Sequence, residues 1–209
     1  MAETKRLAAI SLNANPSPWC KENSNCLKVV SLNCAGLQAH FRDLQVDNMI
    51  GKGDIIHLIE TSLDENDQSP LTLEGYEVHL TSVGKGKGIA TYYKPNIFKH
   101  EKDFKKSNMQ ITKYTSRYLD AINVYRSYNG NTAELLDPLV QMLTPGMPVI
   151  ITGDFNICFM VNGRNRMSKG LDKEGFQQLM REPTQIMGGH IDHVYWRDRS
   201  HQWKQPILE

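Results

Sequence analysis

The sequence has few cysteines, little net charge and no long apolar run. Each of these absences argues against a class of protein. The four cysteines form no C-x-x-C pair, which leaves reduced thiols as the default state. The polar N-terminus is interrupted by Asn and Pro and does not resemble a secretory signal. No stretch approaches the ~20 apolar residues of a membrane span. We therefore expect no membrane attachment and an intracellular protein, with the nucleus among the candidate compartments.

A formal net charge of +1 argues against a basic field over the whole surface. Any nucleic-acid contact has to come from local patches, because phosphate binding needs clustered Lys and Arg. The 40% of hydrophobic and 22% of charged residues are typical of a globular protein, and 209 residues fit one domain. Residues 1–26 show no sustained periodicity, so we predict a flexible leader there and a single domain over residues 27–209.

Short apolar runs bounded by polar turns dominate the rest of the chain. They predict strands near residues 27–33, 54–60, 76–80, 88–93, 109–114, 119–125, 148–154 and 190–196. Helical spacing of apolar residues predicts helices near 37–50, 133–143 and 171–180, although Pro138 leaves two short turns as an alternative to the second helix. The charge-rich segment 99–106 is interpreted as a solvated loop. Many short strands with few helices predict two packed sheets with helices outside.

Polar residues end three of these apolar strands, namely Asn33, Glu60 and Asp154. A buried strand that ends in such a residue loses stability unless the polar group is paired or lies at a solvated rim. Each residue taken alone is better explained as a strand cap or turn former. Together, brought to one edge of a sheet, they would form the oxygen-rich kind of site that binds Mg²⁺.

Five segments resemble, in order, the motifs of the exonuclease/endonuclease/phosphatase superfamily. They are Val-Ser-Leu-Asn-Cys-Ala-Gly-Leu at 30–37, Asp-Ile-Ile-His-Leu-Ile-Glu-Thr at 54–61, Asn-Val-Tyr-Arg at 123–126, Gly-Asp-Phe-Asn at 153–156 and Gly-His-Ile-Asp-His-Val-Tyr at 189–195. The resemblance extends from Leu27 to Trp196 and is closest to endonucleases of retrotransposons and related mobile elements. It implies a four-layer α/β sandwich of two packed mixed β-sheets with helices outside.

The same resemblance implies a metal site and the groups around it. Glu60 would be the principal metal ligand, and Asn33 would orient it or a ligand water. The implied cofactor is Mg²⁺, with Mn²⁺ as an alternative. Asp154 would activate or position the attacking water, and Asn156 would hold a phosphate oxygen or that aspartate.

The remaining implied roles concern the phosphodiester substrate, for which DNA is the expected partner through its backbone. Tyr125 would donate a hydrogen bond to the scissile phosphate, and Asp192 would orient a catalytic histidine. Arg126 is the candidate phosphate-binding residue, because a guanidinium can bind a phosphate through two hydrogen bonds. Arg164, Arg166 and Lys169 could also hold a DNA backbone, although a solvated turn explains them equally well.

The sequence departs from the superfamily pattern at three places. Ala35 stands where many members carry an acidic or amide residue, and Tyr128 stands where many nucleases carry Asn. The catalytic histidine of the superfamily belongs to a segment beyond the match to Asp192. We therefore expect a domain that is incomplete at its C-terminus and lacks its last core strand.

Two nearby histidines are poor substitutes for that residue. Neighbouring residues on a strand face opposite sides, so His193 should point away from the face that carries Asp192. His201 lies in a polar segment of uncertain order.

The predicted activity is metal-dependent hydrolysis of phosphodiester bonds, most specifically a DNA endonuclease of the mobile-element type. One alternative is a catalytically inactive scaffold that binds nucleic acid or a protein partner, and another is a phosphodiesterase that acts on small molecules or sphingomyelin. A reverse transcriptase or a helicase fused to this domain in a longer parent protein is also compatible with the resemblance.

Overall fold

Short apolar segments separated by polar turns form twelve strands in the part of the chain that the structure describes. This computed structural model describes residues 8–13, 26–47, 50–67, 71–84, 87–158, 166–180, 191–198 and 207–208. The strands form two six-stranded sheets, each with one parallel pair and otherwise antiparallel pairs. Both sheets are therefore mixed.

The first sheet is built around a parallel pair joined by a helix. Its strands are β1 (Ala8–Asn13), β2 (Cys26–Asn33), β3 (Ile55–Ile59), β4 (Glu77–Gly84), β5 (Lys87–Tyr93) and β12 (Ile207–Leu208), in the spatial order β12-β1-β2-β3-β5-β4. Helix α1 (Leu37–Val46) connects the parallel strands β2 and β3 and buries Leu37, Phe41 and Leu44. These side chains pack with Val30, Ile56, Leu58 and Tyr92 on the outer face of the sheet.

The second sheet repeats this arrangement. Its strands are β6 (Lys99–Lys106), β7 (Met109–Thr115), β8 (Asp120–Arg126), β9 (Val149–Asp154), β10 (Gln177–Gln178) and β11 (Asp192–Arg197), in the spatial order β10-β11-β9-β8-β7-β6. Helix α2 (Ala133–Gln141) connects the parallel strands β8 and β9. Together with α3 (Arg166–Lys173), it packs on the outer face through Leu135, Leu139, Met167 and Leu171.

Apolar side chains from both sheets fill much of the space between them. Val29, Ile55 and Tyr93 from the first sheet meet Tyr114, Ala121, Ile150 and Trp196 from the second. The predicted α/β sandwich of two mixed sheets with helices outside is therefore confirmed. Whether a further core strand belongs to the fold stays a prediction. No helix in the described ranges is long and apolar enough to cross a bilayer.

Two segments without a clear apolar pattern form strands against expectation. Ala8–Asn13, inside the predicted flexible leader, is strand β1 and pairs with β2 in antiparallel register. Lys99–Lys106, interpreted as a solvated loop, is strand β6 at the edge of the second sheet. Its side chains are mostly exposed or half-buried, and charged residues on an edge strand discourage pairing with other chains. The charge pattern therefore reflects an edge position and not a loop.

The helices also differ from their predicted limits. Helix α1 ends at Val46, because the Asp47 carboxylate accepts the backbone N–H of Ile50 and starts a short 3-10 turn. Helix α2 is one helix despite Pro138. The helix predicted at 171–180 is α3, which lies earlier, because Gly175 at φ 83° terminates it.

His57 lies on β3 in a polar part of the interface between the sheets. It is fully buried, and its Nδ1 is 3.1 Å from Thr91 Oγ1. Burial lowers the pKa of the imidazole from 6.5 to about 3, because the charged form loses its solvation. The folded protein therefore keeps this histidine neutral in mildly acidic solution.

We expect His57 to make the fold sensitive to acid. Between pH 6.5 and about pH 3 the unfolded chain binds a proton at this residue that the folded chain does not. The free energy of unfolding therefore falls as the pH drops through this window. In His57→Gln, urea unfolding should show a smaller loss of stability between about pH 7 and about pH 4.5.

The same substitution at the exposed His40 on α1 controls for the removal of an imidazole. An equal loss of stability on acidification in wild type and His57→Gln would contradict this prediction.

Candidate active site

The two parallel strand pairs place polar residues at one rim of the sandwich. In the first sheet, Asn33 ends β2 and Glu60 directly follows β3. In the second sheet, Tyr125 on β8 is paired with Asp154 on β9, and Asp154 is paired in turn with Asp192 on β11. Paired residues lie on the same face of a sheet, so these three side chains form a row across it.

A side-chain hydrogen bond joins the two sheets at this rim. Asn33 Nδ2 donates to Asp154 Oδ2 at 3.2 Å. The other end of the amide is also held, because Asn33 Oδ1 accepts the backbone N–H of Ala35 at 3.2 Å. The position of Asp154 is therefore set by the first sheet as well as by its own strand.

The loop after β2 runs alongside Glu60 and holds its backbone. Cys34 N–H donates to the carbonyl of Ile59 at 2.9 Å, and Gly36 N–H donates to the carbonyl of Glu60 at 2.7 Å. Glu60 has φ 56°, in the left-handed region that a residue with a Cβ adopts only at a cost. Such strained backbone persists only where its surroundings over-determine it, and it concentrates at functional sites.

The segment Gly153-Asp154-Phe155-Asn156 forms the other wall of the site. Gly153 has φ 146°, and a Cβ there would lie 1.9 Å from the carbonyl oxygen of Val124, so only glycine fits. Asn156 has φ 48°, and its backbone N–H donates to Asp154 Oδ1 at 2.9 Å. Both oxygens of the Asp154 carboxylate are thus oriented by hydrogen bonds.

Negative charge is concentrated around Asp154. Burial, followed by the nearby carboxylates of Asp192 and Glu60, raises its pKa to about 7. Burial and the carboxylates of Glu60 and Asp154 also raise the pKa of Tyr125 to about 12. A buried carboxylate whose charge is disfavoured by two neighbouring carboxylates fits a site for a divalent cation. Their hard oxygen atoms are the donors that Mg²⁺ prefers.

Comparison with known proteins assigns this chain to a family. The sequence model of the endonuclease/exonuclease/phosphatase family matches residues 30–206. The chain belongs to this family. No curated protein matches the chain at a significant level.

Several solved structures share the fold of this chain. The endonuclease domain of TRAS1, a telomere-specific non-LTR retrotransposon, has a TM-score of 0.59 at 14% identity, and 81% of this chain covers 83% of it. An AP endonuclease from Archaeoglobus fulgidus has a TM-score of 0.60 at 14% identity, with 81% and 86% of the two chains covered. The 3′ phosphatase NExo from Neisseria, bound to a product DNA hairpin, has a TM-score of 0.54 at 17% identity, with 82% and 86% covered.

Arg126, predicted to bind phosphate, lies against the loops that follow β8 and β9. Its side chain is buried, and the guanidinium donates to the carbonyls of Phe155 at 2.6 Å and Asn156 at 2.7 Å. Nη1 also contacts the carbonyls of Ser127, Tyr128 and Gly130. The phosphate role of Arg126 stays a prediction, because these contacts occupy the guanidinium with backbone carbonyls and do not test phosphate binding. In this structure Arg126 holds the loop after β9 against the loop after β8. Asn156 Nδ2 donates a hydrogen bond to the backbone carbonyl of Arg126 at 2.8 Å.

The residues at the predicted departures also have defined positions. Ala35 is exposed with φ 47°, and its methyl group offers no ligand to the site. Tyr128 is 82% exposed on the loop after β8. His193 lies on the face of β11 opposite Asp192, as predicted, where Nε2 is 2.8 Å from the carbonyl of Ile157. His201 and Arg164 lie outside the described residues.

Replacing Arg126 should destabilise the protein. Arg126→Lys loses the fork that binds the carbonyls of Phe155 and Asn156, and a lysine cannot reach both. We expect the free energy of unfolding to fall by about 2–3 kcal/mol, measured by urea denaturation, because buried carbonyls lose charged donors.

The exposed Arg117 provides the matched control, and Arg117→Lys should change stability by less than about 0.5 kcal/mol. Unchanged stability in Arg126→Lys, together with weaker binding of inorganic phosphate, would contradict this structural role and support the predicted phosphate-binding role.

Proposed function

We propose that this domain is a magnesium-dependent phosphodiesterase that cleaves DNA as an endonuclease of the mobile-element type. The observation that carries the proposal is the convergence of Asn33, Glu60, Tyr125, Asp154 and Asp192 at one rim from both sheets. These groups combine cation ligands, a carboxylate held by hydrogen bonds and a phenolic donor. In-line hydrolysis of a phosphodiester requires such a set.

The roles of the side chains follow from their contacts. Asp154, held by Asn33 and Asn156, would orient the attacking water and accept its proton. Tyr125 remains a phenol at neutral pH and can donate a hydrogen bond to a phosphate oxygen. Glu60 and Asp192 are the further carboxylates that would hold Mg²⁺. When bound, the ion would offset charge on the phosphoryl oxygens and stabilise the leaving oxygen.

DNA as the substrate is supported by the functions of similar structures and by exposed cations. TRAS1 and the Archaeoglobus protein are described as endonucleases, and NExo is bound to DNA. Arg166 and Lys169 are exposed on α3 and can contact a phosphate backbone. These structures are 14–17% identical to this chain and establish its fold alone, so cleavage of plasmid DNA decides the substrate.

The proposal predicts metal-dependent nicking of supercoiled plasmid by a protein that contains this domain together with the histidine segment of the superfamily. Glu60→Gln and Asp154→Asn should each lower the nicking rate by about 100-fold or more, because they remove a metal ligand and the water-positioning carboxylate. Glu134→Gln, at an exposed glutamate on α2, is the matched control and should nick at the wild-type rate. Full activity in either site variant would sink the assignment.

A second measurement separates the metal site from catalysis. Mg²⁺ should raise the midpoint of thermal unfolding in wild type and in Glu134→Gln, and Glu60→Gln should reduce this shift. A chain that binds DNA equally well with and without Mg²⁺, and shows no nicking, would favour the inactive nucleic-acid-binding scaffold instead.

A further inference from the structure

A second group of metal-ligating side chains lies where the edge strands of the two sheets meet. His79 belongs to β4, the edge strand of the first sheet, and His100 and Asp103 belong to β6, the edge strand of the second. One nitrogen from each imidazole and one carboxylate oxygen all lie within 4.8 Å of one another. None of the residues assigned to the active site takes part in this cluster.

An irregularity in β6 makes the cluster possible. His100 pairs with Tyr114 and Lys102 pairs with Lys113, so Glu101 is an extra residue in the register. Residues three apart on a regular strand face opposite sides, and the bulge instead places His100 and Asp103 on the same face. Bulges often redirect side chains at functional positions, and this bulge directs two potential metal ligands to one face of the strand.

The geometry of the three side chains is convergent. The imidazoles of His79 and His100 stack with centroids 3.8 Å apart and planes at 24°. Both present Nε2 to one carboxylate, at 2.9 Å from Asp103 Oδ2 and Oδ1 respectively. The side chains of the histidines are 27% exposed and that of Asp103 is 17% exposed, so an ion can reach them from solvent.

We propose that His79, His100 and Asp103 form a transition-metal site that ties the edges of the two sheets together. Two imidazole nitrogens and one carboxylate oxygen suit Zn²⁺ or a related ion such as Co²⁺, and they suit Mg²⁺ poorly. Tetrahedral bonds of about 2.0–2.1 Å put ligand atoms about 3.3 Å apart. The two 2.9 Å nitrogen–oxygen contacts would therefore lengthen by about 0.4 Å when the ion binds.

This site differs from the candidate active site in chemistry and in consequence. Its two nitrogen donors come from β4 and β6, which belong to different sheets. A water molecule would occupy the fourth coordination position of the ion. A bound ion would replace the His79–Asp103 bond between the sheets and the His100–Asp103 bond within β6 by coordination bonds to all three side chains. Its binding free energy would therefore add to the stability of the sandwich at its open edge.

The test is a titration of the intact chain with Zn²⁺ by calorimetry, in excess Mg²⁺ so that hard carboxylate sites are filled. We expect about one equivalent bound in wild type, with affinity reduced by about 100-fold in His79→Gln and in His100→Gln. Asp103→Asn, which keeps the shape of the side chain, provides a third variant, and circular dichroism establishes that each variant is folded.

Two matched variants control the titration. His40→Gln removes a histidine from an exposed pair with Asp43 on α1 and should leave binding unchanged. Glu60→Gln alters the candidate active site and should also retain the Zn²⁺ equivalent, which separates this proposal from the proposed function.

Co²⁺ provides an independent readout of the ligands. Its visible absorption should show low coordination number with nitrogen and oxygen donors, and this signal should be absent in the folded His79→Gln variant. The proposal is overturned if wild type binds no Zn²⁺, if His79→Gln and His100→Gln bind it as wild type does, or if Co²⁺ shows a thiolate band that persists in these variants. The cluster is then a hydrogen-bonded clamp without a metal.

Discussion

The hydrogen bond from Asn33 to Asp154 is the contact on which the candidate site depends. It joins residues 121 positions apart and connects the ends of two strands in different sheets. Each end comes from a parallel pair, and parallel strands joined by a helix place their carboxyl ends at the same edge. Packing the two sheets face to face then brings both edges to one rim.

Hydrogen bonds keep the Asp154 carboxylate in one orientation, and the carboxylates of Glu60 and Asp192 place negative charge beside it. The backbone N–H of Asn156 and the amide of Asn33 hold its two oxygens. The guanidinium of Arg126 stabilises this turn by donating hydrogen bonds to the carbonyls of Phe155 and Asn156. Pre-organised groups of this kind do not need to rearrange during the reaction, which is how electrostatic stabilisation becomes effective.

The polar strand ends were predictable from sequence, whereas the partners of several side chains were not. Asn33, Glu60 and Asp154 stand out because each interrupts an apolar run, and that signal is local. The sequence suggests Arg126 as a phosphate-binding residue because it follows Tyr125, which faces the site. Successive residues on a strand face opposite sides, and Arg126 therefore turns toward the carbonyls of the next loop, which sequence spacing cannot locate.

By itself, the sequence determined the alternation of short strands and helices, the family motifs and the residues that end the strands. It did so because apolar periodicity and turn residues act over a few neighbouring positions. Only the tertiary structure decided that Ala8–Asn13 and Lys99–Lys106 are strands, since a strand at an edge gains its bonds from a distant partner. It alone also decided that His79 meets Asp103, because that contact requires a bulge and the packing of two sheets.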